Sequence, residues 1–233
     1  MPRRPRSRVA GAAALLLLEW AGTAAAQTPP SAAERSAYTG LFAAAARGDV
    51  VQIRALLAGG QKPDGRDGHG RTPLHVAAYR AHHEAMRALV GADADPNALE
   101  RDRYDIVTIA AVAGDVPTLR VALALGASAR NVTSRYDGTA LIAAAHLGHA
   151  EVVRTLIRAG APPDHVNNLG WTALIESIVL GDGGARHQDT LAALVEAGAD
   201  VNLPDRQGRT PLALAQGRGY DAMADRLRRA DAR

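Results

Sequence analysis

The sequence predicts an all-α solenoid of about six helix-turn-helix repeats joined by short hairpin or loop tips, and three observations predict it. A motif returns at a period of about 33 residues: Asp67-Gly-His-Gly70-Arg-Thr72-Pro-Leu-His75-Val-Ala-Ala78 reappears near the end as Asp205-Arg-Gln-Gly208-Arg-Thr210-Pro-Leu-Ala-Leu-Ala215. Self-similarity at such a period marks a stack of like units. Aromatic residues make up only 3% of a chain that is 47% hydrophobic, so its core has to come from small and aliphatic side chains on closely packed helices. Each copy of the motif also carries helix punctuation. A hydroxyl at Thr72 or Thr210 can cap a first turn, Pro73 or Pro211 follows where a missing N–H costs nothing, and Gly160 or Gly198 suits the left-handed residue that ends a second helix.

Ahead of the repeats, residues 1–26 read as a secretory signal peptide. Arg-rich MPRRPRSR precedes the apolar run Val9 to Leu18, and a small-residue stretch ends in Ala24, Ala25 and Ala26. The run is about ten residues long where roughly 20 span a bilayer, and Glu19 interrupts it. Cleavage after Ala26 is expected, by ordinary rather than twin-arginine export, leaving a mature chain in the periplasm or outside a bacterial cell. Gln27-Thr28-Pro29-Pro30-Ser31 opens a stretch, 27–35, expected to be flexible.

The repeat domain is expected over residues 36–230, divided near 36–66, 67–99, 100–133, 134–166, 167–204 and 205–230. Thr39, Thr72, Asp105, Thr139, Thr172 and Thr210 are equivalent, at spacings of 33, 33, 34, 33 and 38. Alanines at 77, 78, 110, 111, 144 and 145 remove bulk where helices approach, and Val152, Val153, Leu156 and Ile157 give a second helix its apolar face. Three departures stand out. The third repeat has Asp105-Ile106-Val107-Thr108 in place of Thr-Pro-Leu-His, so an Asp takes the cap and the repeat is expected to be less rigid. Asp93 replaces the helix-ending Gly, in a conformation that Asp tolerates. The first repeat opens on Thr39-Gly-Leu-Phe and the last ends on Arg226-Leu-Arg-Arg, both polar enough to serve as end caps.

These residues carry a resemblance to the ankyrin-repeat family, and to exported, periplasmic bacterial members of it. Thr-Pro-Leu-His opens the first helix, Gly148-His149 lies between helices and Gly198-Ala-Asp-Val-Asn202 follows the second. The resemblance implies a non-enzymatic scaffold that binds a protein through a concave strip made of the tips and the exposed side of each first helix. Carried onto this chain, that strip holds Arg71, Tyr79, Arg80, Arg101, Tyr104, Arg135, Tyr136, His146, Trp171, Leu180 and Arg209. Arg and aromatics dominate binding contacts, and an Arg-rich groove suits an acidic protein segment. The resemblance also makes His75 and His149 structural, each bonding to nearby backbone.

Charge narrows the partner class. Arg3, Arg4, Arg6 and Arg8 against Glu19 account for the whole net charge of +3, and the rest balances 23 basic against 23 acidic groups. A nucleic-acid partner is therefore not expected, and a monomer is. Without Cys, disulfides, thiolate metal sites and a Cys nucleophile are excluded. With neither HExxH nor G-x-S-x-G, no metal, cofactor or catalytic residue is expected.

One alternative stays open, in a ligand-sensing or enzymatic site in the fifth repeat. Its five extra residues fall in Gly181 to Gln188, and Glu176 stands where other repeats have Val76, Ile109, Ala143 and Leu214. A carboxylate there needs a partner. The expectation is that Glu176 pairs with Arg186 or His187 and pins the loop. A closed polar pocket would favour the alternative, and a filled turn the scaffold.

Overall fold

A computed structural model describes residues 27–232, so the expected signal peptide lies outside the described residues. A short helix α1 (Ala32–Ala37) precedes six helix pairs. They are α2 (Gly40–Arg47) with α3 (Val50–Ala58), α4 (Pro73–Tyr79) with α5 (His83–Val90), and α6 (Ile106–Ala113) with α7 (Val116–Ala124). The array continues with α8 (Ala140–His146) and α9 (Ala150–Arg158), α10 (Ala173–Val179) and α11 (Ala185–Glu196), then α12 (Pro211–Gly217) and α13 (Asp221–Arg229). Before α8, β1 (Val132–Thr133) pairs antiparallel with β2 (Gly138–Thr139), in the register Val132 to Thr139.

Capping explains where the first helices start. Thr72, Thr139, Thr172 and Thr210 each accept from the backbone N–H three residues on, and Asp105 does the same for Thr108 at 2.8 Å. Thr39 makes no such bond, which sets the first repeat apart. Asp93 takes φ +65°, and Gly160 and Gly198 take φ +86° and +82°, the left-handed geometry expected after second helices.

The first helices α2, α4, α6, α8, α10 and α12 stack on one another in sequence, and the second helices form a row behind them. Paired alanines, 44 with 45, 77 with 78, 110 with 111 and 144 with 145, are buried along the first row. With so little side chain between them, backbones approach closely, and Leu, Ile and Val from both rows close a continuous core.

Two expectations change. Residues 27–35 are not a loose tail: Ser31 and Glu34 form a reciprocal cap on α1, and Gln27 and Pro30 are buried. The five extra residues of the fifth repeat do not all enter a loop. Two lengthen the connection between α10 and α11, and three extend α11 to 12 residues against nine in α9.

Candidate binding strip and the fifth-repeat turn

Each tip is organised by the side chain five residues before the helix cap. Asp67 Oδ1 accepts from the N–H groups of His69 and Arg71, and Asp205 Oδ1 accepts from those of Gln207 and Arg209. The remaining oxygen of each Asp takes the Arg Nε, at 2.7 Å for Arg71 and 2.8 Å for Arg209. Glu100 folds the third tip in the same way, through the N–H groups of Asp102 and Tyr104.

Tips are then tied to one another by contacts a repeat apart. Arg66 donates to the Leu99 carbonyl, Arg101 to the Gly68 carbonyl, and Asn168 to the Arg135 carbonyl. Arg135 pairs with Asp102 at 2.6 Å, and Arg103 with Asp137 at 2.8 Å. Much of the Arg charge assigned to the strip is thus already matched within it, something the sequence shows only as acidic residues nearby.

Arg80, Arg101, Arg135 and Arg209 are exposed, and Leu180 is 38% exposed. Tyr79, Tyr104, Tyr136, His146 and Trp171 are partly buried, Tyr79 and Trp171 against the core. Arg71 is a correction. It is only 1% exposed, because α1 and the segment before it cover the tip of the second repeat. Its guanidinium binds Asp67, the Glu34 carboxylate and the Thr28 carbonyl, and it cannot meet a partner in this arrangement. Arg209, with the same Asp contact but no cover, keeps half its side chain exposed.

A second set of donors links successive repeats behind the tips. His82 Nε2 donates to the Ala46 carbonyl (3.2 Å), His149 Nε2 to Val112 (3.3 Å), His187 Nε2 to His146 (2.9 Å) and Tyr220 Oη to Gly181 (3.0 Å). His75 bonds Thr72 through Nδ1 and the Tyr104 carbonyl through Nε2. Burial holds His75 down at about 4, so it stays neutral. His75 and His149 therefore have the backbone roles expected of them.

In the fifth repeat, Glu176 is 6% exposed, as its place among apolar equivalents demands. Its partner, however, is neither Arg186 nor His187. Asn167 Nδ2 donates to Glu176 Oε1 at 2.8 Å, and His146 Nδ1 stands 3.8 Å from Oε2. Burial pushes the Glu176 carboxyl up to about 7, with the Asn167 donor opposing. Burial, then the neighbouring His187, pulls His146 down. Both shifts favour neutral forms, so the contact is a polar one rather than a strong ion pair.

A signal for Asn167 was present in the sequence. It occupies the position of Asp67 and Asp205, and its Oδ1 still accepts from the tip N–H groups of Leu169 and Trp171. Only an amide has a second group that donates to a carboxyl. The change to Asn at the tip and the change to Glu on the helix answer each other.

The loop is pinned by other contacts. Asp182 Oδ1 lies 2.8 Å from His187 Nδ1 and accepts from the Gly184 N–H, while Arg186 donates to the Leu147 carbonyl at 2.6 Å. The Gly184 N–H, then the His187 bond, hold Asp182 below its usual value. Gly183, at φ +71°, lies against the Tyr220 ring, where a Cβ would come within 2.5 Å of it. The turn is thus packed against Tyr220 of the sixth repeat. Among the described residues no group of three or more His, Asp or Glu is placed to hold a metal, and no helix is long and apolar enough to cross a membrane.

Comparison with known proteins agrees with this architecture. Residues 11–100 and 107–205 match the family model described as ankyrin repeats (3 copies). YahD, an ankyrin repeat protein of Escherichia coli (strain K12), is 33% identical over 185 residues, covering 79% of this chain and 92% of YahD. The crystal structure of an ankyrin repeat domain from Acinetobacter baumannii AYE superposes with a TM-score of 0.78 at 44% identity, over 83% of this chain and 98% of that one. The ankyrin repeat domain of Bcl-3 follows at 0.75 and 29% identity, over 84% and 87%. With capped first helices, tip geometry and cross-repeat donors recurring down the array, and with these matches spanning most of its length, the chain belongs to the ankyrin-repeat family.

Proposed function

We propose that this protein is a non-enzymatic scaffold of the bacterial cell envelope, exported by residues 1–26 and holding a protein partner against the concave strip of tips and first helices. Ankyrin repeats are in general protein–protein interaction scaffolds, and the repeats here make up almost the whole described chain. The observation that supports the reading is that Arg80, Arg101, Tyr104, Arg135, Tyr136, Trp171 and Leu180, which the family resemblance assigns to that strip, are exposed or only partly covered. Such residues supply binding energy when a partner excludes water from them. Arg135 and Arg103 are matched by Asp102 and Asp137, so the strip favours a segment of patterned charge, acidic where it meets Arg80 and Arg101, over a uniform polyanion.

The test replaces Tyr104, Arg135 and Trp171 together by Ala and recovers crosslinked partners from the periplasm. Loss of the natural partner with helical content unchanged is expected. Recovery equal to the unaltered chain counts decisively against the strip, and a mature chain that starts at Met1 or Pro2 rather than Gln27 counts against export.

A further inference from the structure

The ladder of cross-repeat donors lapses between the second and third repeats, where Asp115 stands in place of His82, His149 or Tyr220 at the head of a second helix. A carboxylate has no proton to give a carbonyl. Asp115 turns to its own helix, accepting from Thr118 N at 3.0 Å and Thr118 Oγ1 at 2.5 Å. A hollow of about 260 Å³ lies beside it, walled by Ala78 and Tyr79 from α4, by Ala81 in the turn that follows, and by Ile109, Val112 and Ala113 from α6. The chain's own Gln27 and Pro29 line the same hollow.

We infer that residues 27–31 are a displaceable strap: they occupy the binding strip over α4 and α6, and an extended, acidic segment of the partner binds there by exchanging with them. The inference rests on the strip proposed above.

Three observations point to exchange rather than permanent packing. First, the strap engages Arg71, a tip cation equivalent to the open Arg209, and it does so with groups an acidic extended peptide also carries. The Thr28 carbonyl accepts from Arg71 Nη1 at 3.2 Å, and Glu34, in the helix that follows, takes Nη2. Second, the fit is incomplete. Gln27 is 8% exposed, yet its Nε2 has no hydrogen-bond partner, and a buried donor left unpaired weakens the seat. Thr28 and Pro29 remain exposed. Third, Pro29 and Pro30 lack N–H groups and favour an extended chain, so the segment crosses the helices without a backbone ladder to hold it. Tethering keeps its local concentration high, making it the default occupant until a partner competes.

The absence of native Cys makes the test direct. Val112→Cys places a single thiol on the floor of the hollow, and its rate of maleimide labelling reads how often the strap lifts. Labelling is expected to be at least tenfold faster when Glu34→Gln is added, and equal rates overturn the strap. In the second arm, a fluorescent synthetic peptide of residues 27–37 is titrated into the full chain. The Glu34→Gln chain is expected to bind it at least tenfold more tightly than the unaltered chain, and a peptide carrying Glu34→Gln is expected to bind neither. Equal affinities, or a strap that lifts while the peptide binds nowhere, overturn the exchange. Partner recovery by the Tyr104, Arg135 and Trp171 variant is a separate measurement, so the strip can fail while the strap stands, or the reverse.

Discussion

Replacing Glu176 by Gln should make the protein more stable at neutral and alkaline pH, and the structure sets the size of the gain. The carboxyl is buried and pushed from its ordinary 4.5 up to about 7, while in the unfolded chain it titrates at the ordinary value. Between those two values the native state keeps a proton that the unfolded state has released. Unfolding free energy therefore falls as pH rises, by about 1.4 kcal/mol for each pH unit. The favourable contribution is complete below the unfolded value and is lost once pH passes the folded one, a total of about 3 kcal/mol. Gln is neutral throughout, and its Oε1 can keep the 2.8 Å bond from Asn167 Nδ2. Urea unfolding followed by far-ultraviolet circular dichroism should show the two proteins alike near the ordinary carboxyl value. By about one unit above neutrality the Gln variant should lead by about 3 kcal/mol. Curves that stay parallel across this range would refute the argument, because they would mean that the folded carboxyl titrates as it does in water.

Asn167→Asp keeps the tip acceptor but faces a second carboxyl toward Glu176, so a loss of about 2–4 kcal/mol is expected at neutral pH. Most of it should be recovered in the double variant with Glu176→Gln, a result readable in the same unfolding assay. Gly183→Ala forces a side chain into a left-handed turn and against the Tyr220 ring, and a cost of about 2 kcal/mol or more is expected from thermal melts. If the melt is unchanged, the turn is not held by Tyr220. Leu156→Ala empties a fully buried position on α9 and should cost about 2–5 kcal/mol. Asp105→Ala removes the cap of α6 and leaves Thr108 and Asn131 short of a buried acceptor, with about 2 kcal/mol lost.

Local signals were legible wherever the physics is local. Thr and Asp caps act on amides three residues away, so they were visible as residue types at a fixed spacing, and the structure shows them at Thr72, Asp105 and Thr210. The need for Glu176 to find a partner was also legible, since every equivalent position is apolar. Which partner it finds was misjudged, because proximity along the chain favoured the loop. The helix turns Glu176 away from that loop, toward the tip of its own repeat.

Periodicity, small residues and caps were enough to determine a stacked array of helix pairs, because each unit repeats the same short-range instructions and cannot bury its apolar face alone. Tertiary structure alone decided how the departures from the repeat are used. Arg71 and Arg209 are the same residue in the same tip, yet one is buried and the other open, because α1 and the strap fold back over the first. Asp115 interrupts the ladder of donors, and the hollow beside it is lined by Gln27 and Pro29, from far earlier in the sequence. Contacts of that kind depend on which surfaces the finished stack leaves uncovered, and no spacing within one repeat carries that information.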